Sequence, residues 1–226
     1  EKGPSADRCG RTGGKYMADN YTIVIQREFG SNGRTIARKV ADRLGIRFYD
    51  RDIVEKVAST LNLPVSTISD EEEKAPSGTL HYLMAKFPLG TDNNYMQDMI
   101  FSVQKDIILK VAEEENCIIV GRCADYLLRN RKNNINIYIF APYSYRLNVC
   151  IHDYGMSPEE AKSMILSVDK ARDAYHKKYA GHSANDERFQ DLMINSALLP
   201  EDDIADMIVQ LAKKKFGIEE DPHVVI

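Results

Sequence analysis

Residues 21–39 read YTIVIQREFGSNGRTIARK. The β-branched run Tyr21–Ile25 leads into a glycine turn at Gly30-Ser31-Asn32-Gly33. A helical pattern then opens at Arg34-Thr35 and places Ile36, Val40 and Leu44 on one face. Strand, glycine turn and helix N-terminus together make an anion cradle, because successive backbone N–H groups converge and the helix dipole adds positive potential. The phosphate-loop pattern is G-x-x-x-x-G-K-[ST], and Glu28 to Thr35 reads E-F-G-S-N-G-R-T. Gly33 and Thr35 match it. Glu28 stands where the first glycine should be, and Arg34 replaces the lysine. The string fails while most of the mechanism survives. Ordinary strand-to-helix turns use the same residue types, so the rest of the chain has to decide.

Further strands are predicted at Ile46–Tyr49, Cys117–Val120, Ile135–Phe140 and Leu192–Ile194. Helical patterns separate them, at Gly33–Leu44, Arg51–Leu61, Tyr95–Glu115 and Arg122–Leu128. Others cover Tyr143–Tyr154, Pro158–Tyr179 and Glu201–Phe216. Ser157, Pro158 and Glu160 form a capping box with proline at the first helical position. Strands alternating with helices imply parallel βαβ units. In such sheets ligands sit beyond the strand carboxyl ends, where the glycine turn lies. Residues 64–94 differ: an acidic run, Ser69–Lys74, is followed by breaks at Ala75–Gly78, Pro88–Gly90 and Asp92–Asn94, which reads as a helical insertion with mobile joints. Residues 1–16 lack periodicity and an apolar core. They read either as a cloning remnant before a native start at Met17, or as a disordered tail. Residues 17–226 then form one domain.

The chain has 226 residues, 43% of them hydrophobic, and a net charge of −4. That balance argues against a binder of nucleic-acid polymers, which needs a basic excess. No stretch has the apolar length of a membrane span. Cys9, Cys117, Cys123 and Cys150 form no CxxC pair, and their usage fits a reducing cytoplasm. The five histidines show no HExxH or other ligand spacing, which disfavours a zinc site.

Phosphate chemistry needs cations at several points, and four clusters outside the glycine turn supply them. Asp50-Arg51-Asp52 ends the second strand, Gly121-Arg122 follows the third, and Arg146 lies one turn beyond the fourth. Asp169-Lys170-Ala171-Arg172 lies on the long helix after Pro158. Each also has a bland reading: a helix cap for Asp50–Asp52, a packed surface cation for Arg146, a solvated face for the long helix. Gly121-Arg122, directly after a buried strand, is the hardest to explain by packing alone.

Gln26–Arg34 resembles the SREFGSGGR turn of the cytidylate kinase-like family of P-loop proteins. Phe48–Arg51, Ile119–Asp125 and Asp169–Arg172 are similar to that family's later blocks, in the same order, so the resemblance runs from about Tyr21 to Lys214. It implies a three-layer α/β P-loop fold with a parallel five-stranded sheet, a helical monophosphate-binding insertion at 64–94 and a lid at about 157–182. It further implies ATP as donor, held by Gly30, Ser31, Asn32, Gly33, Arg34 and Thr35, with Mg²⁺ on the Thr35 hydroxyl. Asp50, Arg51, Lys56, Arg122 and Arg146 fall to the acceptor side, and Arg34, Lys170 and Arg172 to catalysis. The implied acceptor is a nucleoside monophosphate, CMP or dCMP foremost. Because Arg34 is not lysine and 64–94 matches no cytosine-reading block, two alternatives stand: a kinase for another small phosphate acceptor, and a nucleotide-binding regulatory module without turnover. Oligomeric state is not legible.

Overall fold

Strand β1 (Thr22–Arg27) is buried at its first five residues, as a strand covered on both faces must be. The computed structural model describes residues 20–50 and 94–218, together with Ile53, Glu55, Lys56, Ser59 and Thr60. After β1 come α1 (Gly33–Leu44), β2 (Arg47–Tyr49), α2 (Asn94–Glu114), β3 (Cys117–Val120) and the short α3 (Ala124–Leu127). Then follow β4 (Asn134–Phe140), α4 (Tyr143–His152), α5 (Pro158–Ala180), a 3₁₀ turn at Glu187–Phe189, β5 (Leu192–Asn195) and α6 (Glu201–Phe216). The expected insertion at 64–94, apart from Asn94, the residues 1–16 and most of the helix expected at Arg51–Leu61 lie outside the described residues.

The five strands form one parallel sheet in the order β2-β3-β1-β4-β5. Ile25 pairs with Val120 on one side and Ile137 on the other, so β1 is central. One face buries Ile23, Ile25, Ile118, Ile135, Ile137 and Ile139 against Ile36, Val40, Ile204 and Ile208 of α1 and α6. The opposite face buries Val24, Tyr49 and Ile119 against Ile53, Ile108, Val111 and Leu128. Helices on both faces make three layers. The connection leaving β1 runs to α1 on one face, and that leaving its neighbour β3 runs to α3 on the other. Their carboxyl ends therefore open a crevice at the point where the winding reverses. A smaller cluster of Phe29, Cys150, Met164, Ile165 and Val168 joins α4 and α5 beneath the glycine turn.

The helix expected over Arg122–Leu128 is only four residues long. Gly121, Arg122 and Cys123 all have positive φ, at 75°, 61° and 54°, and the helix begins after them. Side chains in that region cost roughly 1–2 kcal/mol per residue, and strain of this kind concentrates at functional sites. The Ser157 capping box is formed as expected, with Ser157 accepting from the Glu160 N–H and Glu160 accepting from the Ser157 N–H.

Candidate active site

The glycine turn is held from below by its own side chains. The Ser31 hydroxyl lies 2.9 Å from the Glu28 carbonyl and 3.2 Å from that of Ile139. The Glu28 carboxylate accepts from the Ala141 N–H at 3.0 Å. Glu28, at the missing glycine's position, thus ties the turn to the end of β4. Burial raises the Glu28 pKa, against the Ala141 N–H and Arg146, which lower it. The upper side of the turn is different. Among the described residues, the N–H groups of Gly30, Ser31, Asn32 and Gly33 find no acceptor, although Gly30, Ser31 and Gly33 are buried. Buried backbone donors call for a partner. Four in a row at a helix N-terminus fit the oxygens of a phosphate chain.

Gly33 is required by a close approach: a Cβ there would sit 2.7 Å from the Arg27 Cβ and 3.4 Å from the Ile139 Cβ. The crowding comes from the protein's own Arg27, a residue the sequence reading passed over. The available signal was an arginine closing β1 immediately before the turn. Its guanidinium runs toward β3, where its Nη1 would lie 2.7 Å from a Cβ added at Gly121.

Arginines gather around this crevice. Arg34 Nε pairs with the buried Asp50 at 2.7 Å. The half-buried Arg122 feels Asp50, Tyr175, Arg27 and Arg172 together. Burial is the main influence and lowers its pKa. Asp50 and Tyr175 oppose that, and the two arginines reinforce it. Arg172 Nη1 donates to the Arg27 carbonyl at 3.3 Å, and the guanidinium carbon lies 6.0 Å from the centre of the Phe29 ring. Among the described residues, the guanidinium groups of Arg27, Arg34, Arg122 and Arg172 come together around the Asp50 carboxylate, and clustered cations of this kind suit an anionic ligand.

Helix α5 turns one stripe to the crevice. Asp169 accepts from the Phe29 N–H at 2.8 Å, Arg172 reaches the Arg27 carbonyl, and Tyr175 donates to Gln104 at 2.7 Å. These residues are three apart and share a face. Lys170 lies off that stripe and is exposed, so the structure brings Arg172 to the site and leaves Lys170 away from it. The helix is unbroken from Pro158 to Ala180, and nothing in it turns both cations the same way.

Arg146 is buried and held by three groups. Nη1 donates to the Phe29 carbonyl at 3.2 Å, Nε lies 3.3 Å from Glu28, and Nη1 also pairs with Asp169. It braces the turn from beneath instead of facing the crevice. Asp50, read from sequence as an acceptor contact, is the counter-ion of Arg34. Lys56 is exposed, 4.8 Å above the Tyr49 ring. Arg51 lies outside the described residues. Thr35 is exposed in the first turn of α1, and a hydroxyl is the kind of hard oxygen that Mg²⁺ accepts.

The family model described as the cytidylate kinase-like family matches residues 22–198. The chain belongs to that family. A cytidylate kinase of Ignicoccus hospitalis is 23% identical over 190 residues, spanning 84% of this chain and 97% of that protein. One from Saccharolobus islandicus is 26% identical over 189 residues, spanning 83% and 88%. Among solved structures, an uncharacterized protein from Eubacterium ventriosum has a TM-score of 0.64 at 25% identity, covering 86% of this chain and 99% of its own. A Thermus thermophilus protein, at 15% identity and a TM-score of 0.52, shares the fold over 86% of this chain and 98% of its own. Family membership supports nucleotide kinase chemistry. No helix among the described residues is long and apolar enough to cross a membrane.

Proposed function

We propose that the chain moves the γ-phosphoryl group of ATP to a nucleoside monophosphate, with CMP or dCMP as acceptor. The observation that carries this reading is the row of N–H groups from Gly30 to Gly33 that find no acceptor among the described residues and face a crevice lined by Arg27, Arg34, Arg122 and Arg172. The turn's N–H groups hold the donor phosphates, and Arg34 neutralises their charge while Asp50 keeps its guanidinium in place. Arginine binds phosphate through a planar fork, where lysine acts as a compact charge. Arg122, raised on its left-handed turn beside β3, fixes the acceptor phosphate. Arg172, on the carbonyl of Arg27, stabilises the charge that spreads over the group in transit. Asp169 and Arg146 hold α5 against the turn and so keep Arg172 in register. Thr35 would hold Mg²⁺, which would supply positive charge beside the donor phosphates. No dedicated base is needed, since positioning and electrostatics supply most of the catalysis.

Two other readings use the same crevice: a kinase for another small phosphate acceptor, and a nucleotide-binding module without turnover. A coupled assay of ADP release across nucleoside monophosphates and small phosphate acceptors separates them. Stimulation by CMP or dCMP supports the proposal. Stimulation by a different acceptor supports the first rival, and tight ATP binding without acceptor-stimulated release supports the second.

A further inference from the structure

Outside the crevice, three side chains with metal-ligating atoms converge from three places in the chain. Asp125 lies in the first turn of α3, His176 lies near the end of α5, and His182 lies in the turn beyond it. Their donor atoms all lie within 4.8 Å of one another. Asp125 and His176 are buried, and His182 is half-buried. The sequence spacing disfavoured such a site because no two of these residues stand in a local motif. The fold supplies the proximity instead.

His176 is oriented as a ligand is, and the Nδ1 of each histidine is engaged by a backbone carbonyl. The His176 Nδ1–H donates to the His182 carbonyl at 2.7 Å, and the His182 Nδ1–H donates to the Ser183 carbonyl at 3.0 Å. A carbonyl acceptor fixes the proton on Nδ1 and leaves Nε2 for a metal, the usual outer arrangement around ligating histidines. His176 Nε2 faces both Asp125 oxygens, at 3.0 and 2.9 Å. Asp125 is itself positioned by Gln26, whose amide donates at 2.8 Å. The His182 ring stacks on Phe189, with centroids 3.7 Å apart.

We infer that Asp125, His176 and His182 form a binding site for a borderline transition-metal cation of the Zn²⁺ class. Two imidazoles and a carboxylate are the donor set such ions take, with a fourth position left for water. A tetrahedral ion about 2.0 Å from each donor separates them by about 3.3 Å. The Asp125–His176 contact therefore opens by a few tenths of an ångström, and His182 swings inward from its turn. There is an entry path, since Asp125 and His182 line a cleft of about 230 Å³ with Asn136, Asp191, Arg129 and Arg188. The two arginines are already engaged, Arg129 with the Tyr126 carbonyl and Arg188 with Asp186. The ion bridges His176 Nε2 and the Asp125 carboxylate and staples the end of α5 to the helix that follows Arg122. This site is separate from Mg²⁺ at Thr35, and it does not depend on which acceptor the crevice takes.

The test uses the full chain without an affinity tag, stripped with a chelator and titrated with zinc chloride against a chromophoric chelator. Cobalt(II) serves as the spectroscopic probe. The expected result is one ion per chain and cobalt absorption of tetrahedral intensity. His182→Phe keeps the stack on Phe189 but removes a ligand, and it should weaken binding at least tenfold with metal-free melting unchanged. Asp125→Asn should weaken binding likewise. Absence of stoichiometric binding by the wild type, or binding that both variants retain at full strength, overturns the inference.

Discussion

Replacing Arg146 with Met separates a brace beneath the turn from a contact with the acceptor. Methionine keeps much of the apolar stem and removes only the guanidinium, which holds the Phe29 carbonyl, Glu28 and Asp169. Breaking a fully buried ion pair costs about 3–5 kcal/mol. Here the two carboxylates are 24% and 29% exposed, so water recovers part of that and the expected loss is about 2–3 kcal/mol. At roughly 2–4 °C per kcal/mol for a domain of this size, Tm should fall by about 4–12 °C. Urea denaturation checks the free energy, and Asp169→Asn supplies the second arm of a double-mutant cycle. With Asp169 neutral, removing Arg146 should cost less, leaving a coupling of about 1 kcal/mol or more. A Tm within about 2 °C of wild type, together with a large rise in acceptor KM, would refute the bracing role and return Arg146 to the acceptor side.

Gly33→Ala forces a methyl group against the Arg27 Cβ at 2.7 Å. It should cost about 1–3 kcal/mol by overpacking and weaken ATP binding by calorimetry, so unchanged stability and affinity together would remove the close-packing argument. Arg122→Ala should raise acceptor KM by roughly tenfold to a hundredfold while ATP affinity holds, the loss of a charge-assisted contact worth about 1.5–3 kcal/mol. Arg172→Ala should lower kcat about a hundredfold and Lys170→Ala should leave it near wild type, whereas the reverse order would mean that α5 presents its other face during turnover. Burial raises the thiol pKa of Cys117 to about 12 and that of Cys123 higher still. Alkylation at pH 8, mapped by mass spectrometry, should therefore spare both in the native protein and label them once it is unfolded.

The parallel core was readable because its strands are short apolar runs bounded by turn residues, and α1, β3 and α6 have the predicted limits. The turn at Gly121–Cys123 was not readable, since nothing in the local pattern marks Arg122 and Cys123 for positive φ. Lys170 and Arg172 stand two positions apart, which on a regular helix directs them roughly half a turn apart, and the unbroken α5 keeps them so. Arg27 escaped notice because a charged residue at a strand end is commonplace, and only the folded packing shows that its guanidinium lies against Gly121. Arg146 and Asp50 illustrate the same limit. Sequence places a charge near an edge, but its partners (Glu28 with Asp169, and Arg34) come from distant segments.

The most direct measurement follows label from ATP radiolabelled at its γ-phosphate, with CMP as acceptor, and separates the products by chromatography. Label should pass into CDP with the wild-type chain, and at subsaturating CMP the transfer should fall steeply in Arg122→Ala. Label that stays in ATP, or that appears as free phosphate with no dependence on CMP, would contradict the assignment of this crevice as a nucleoside monophosphate kinase site.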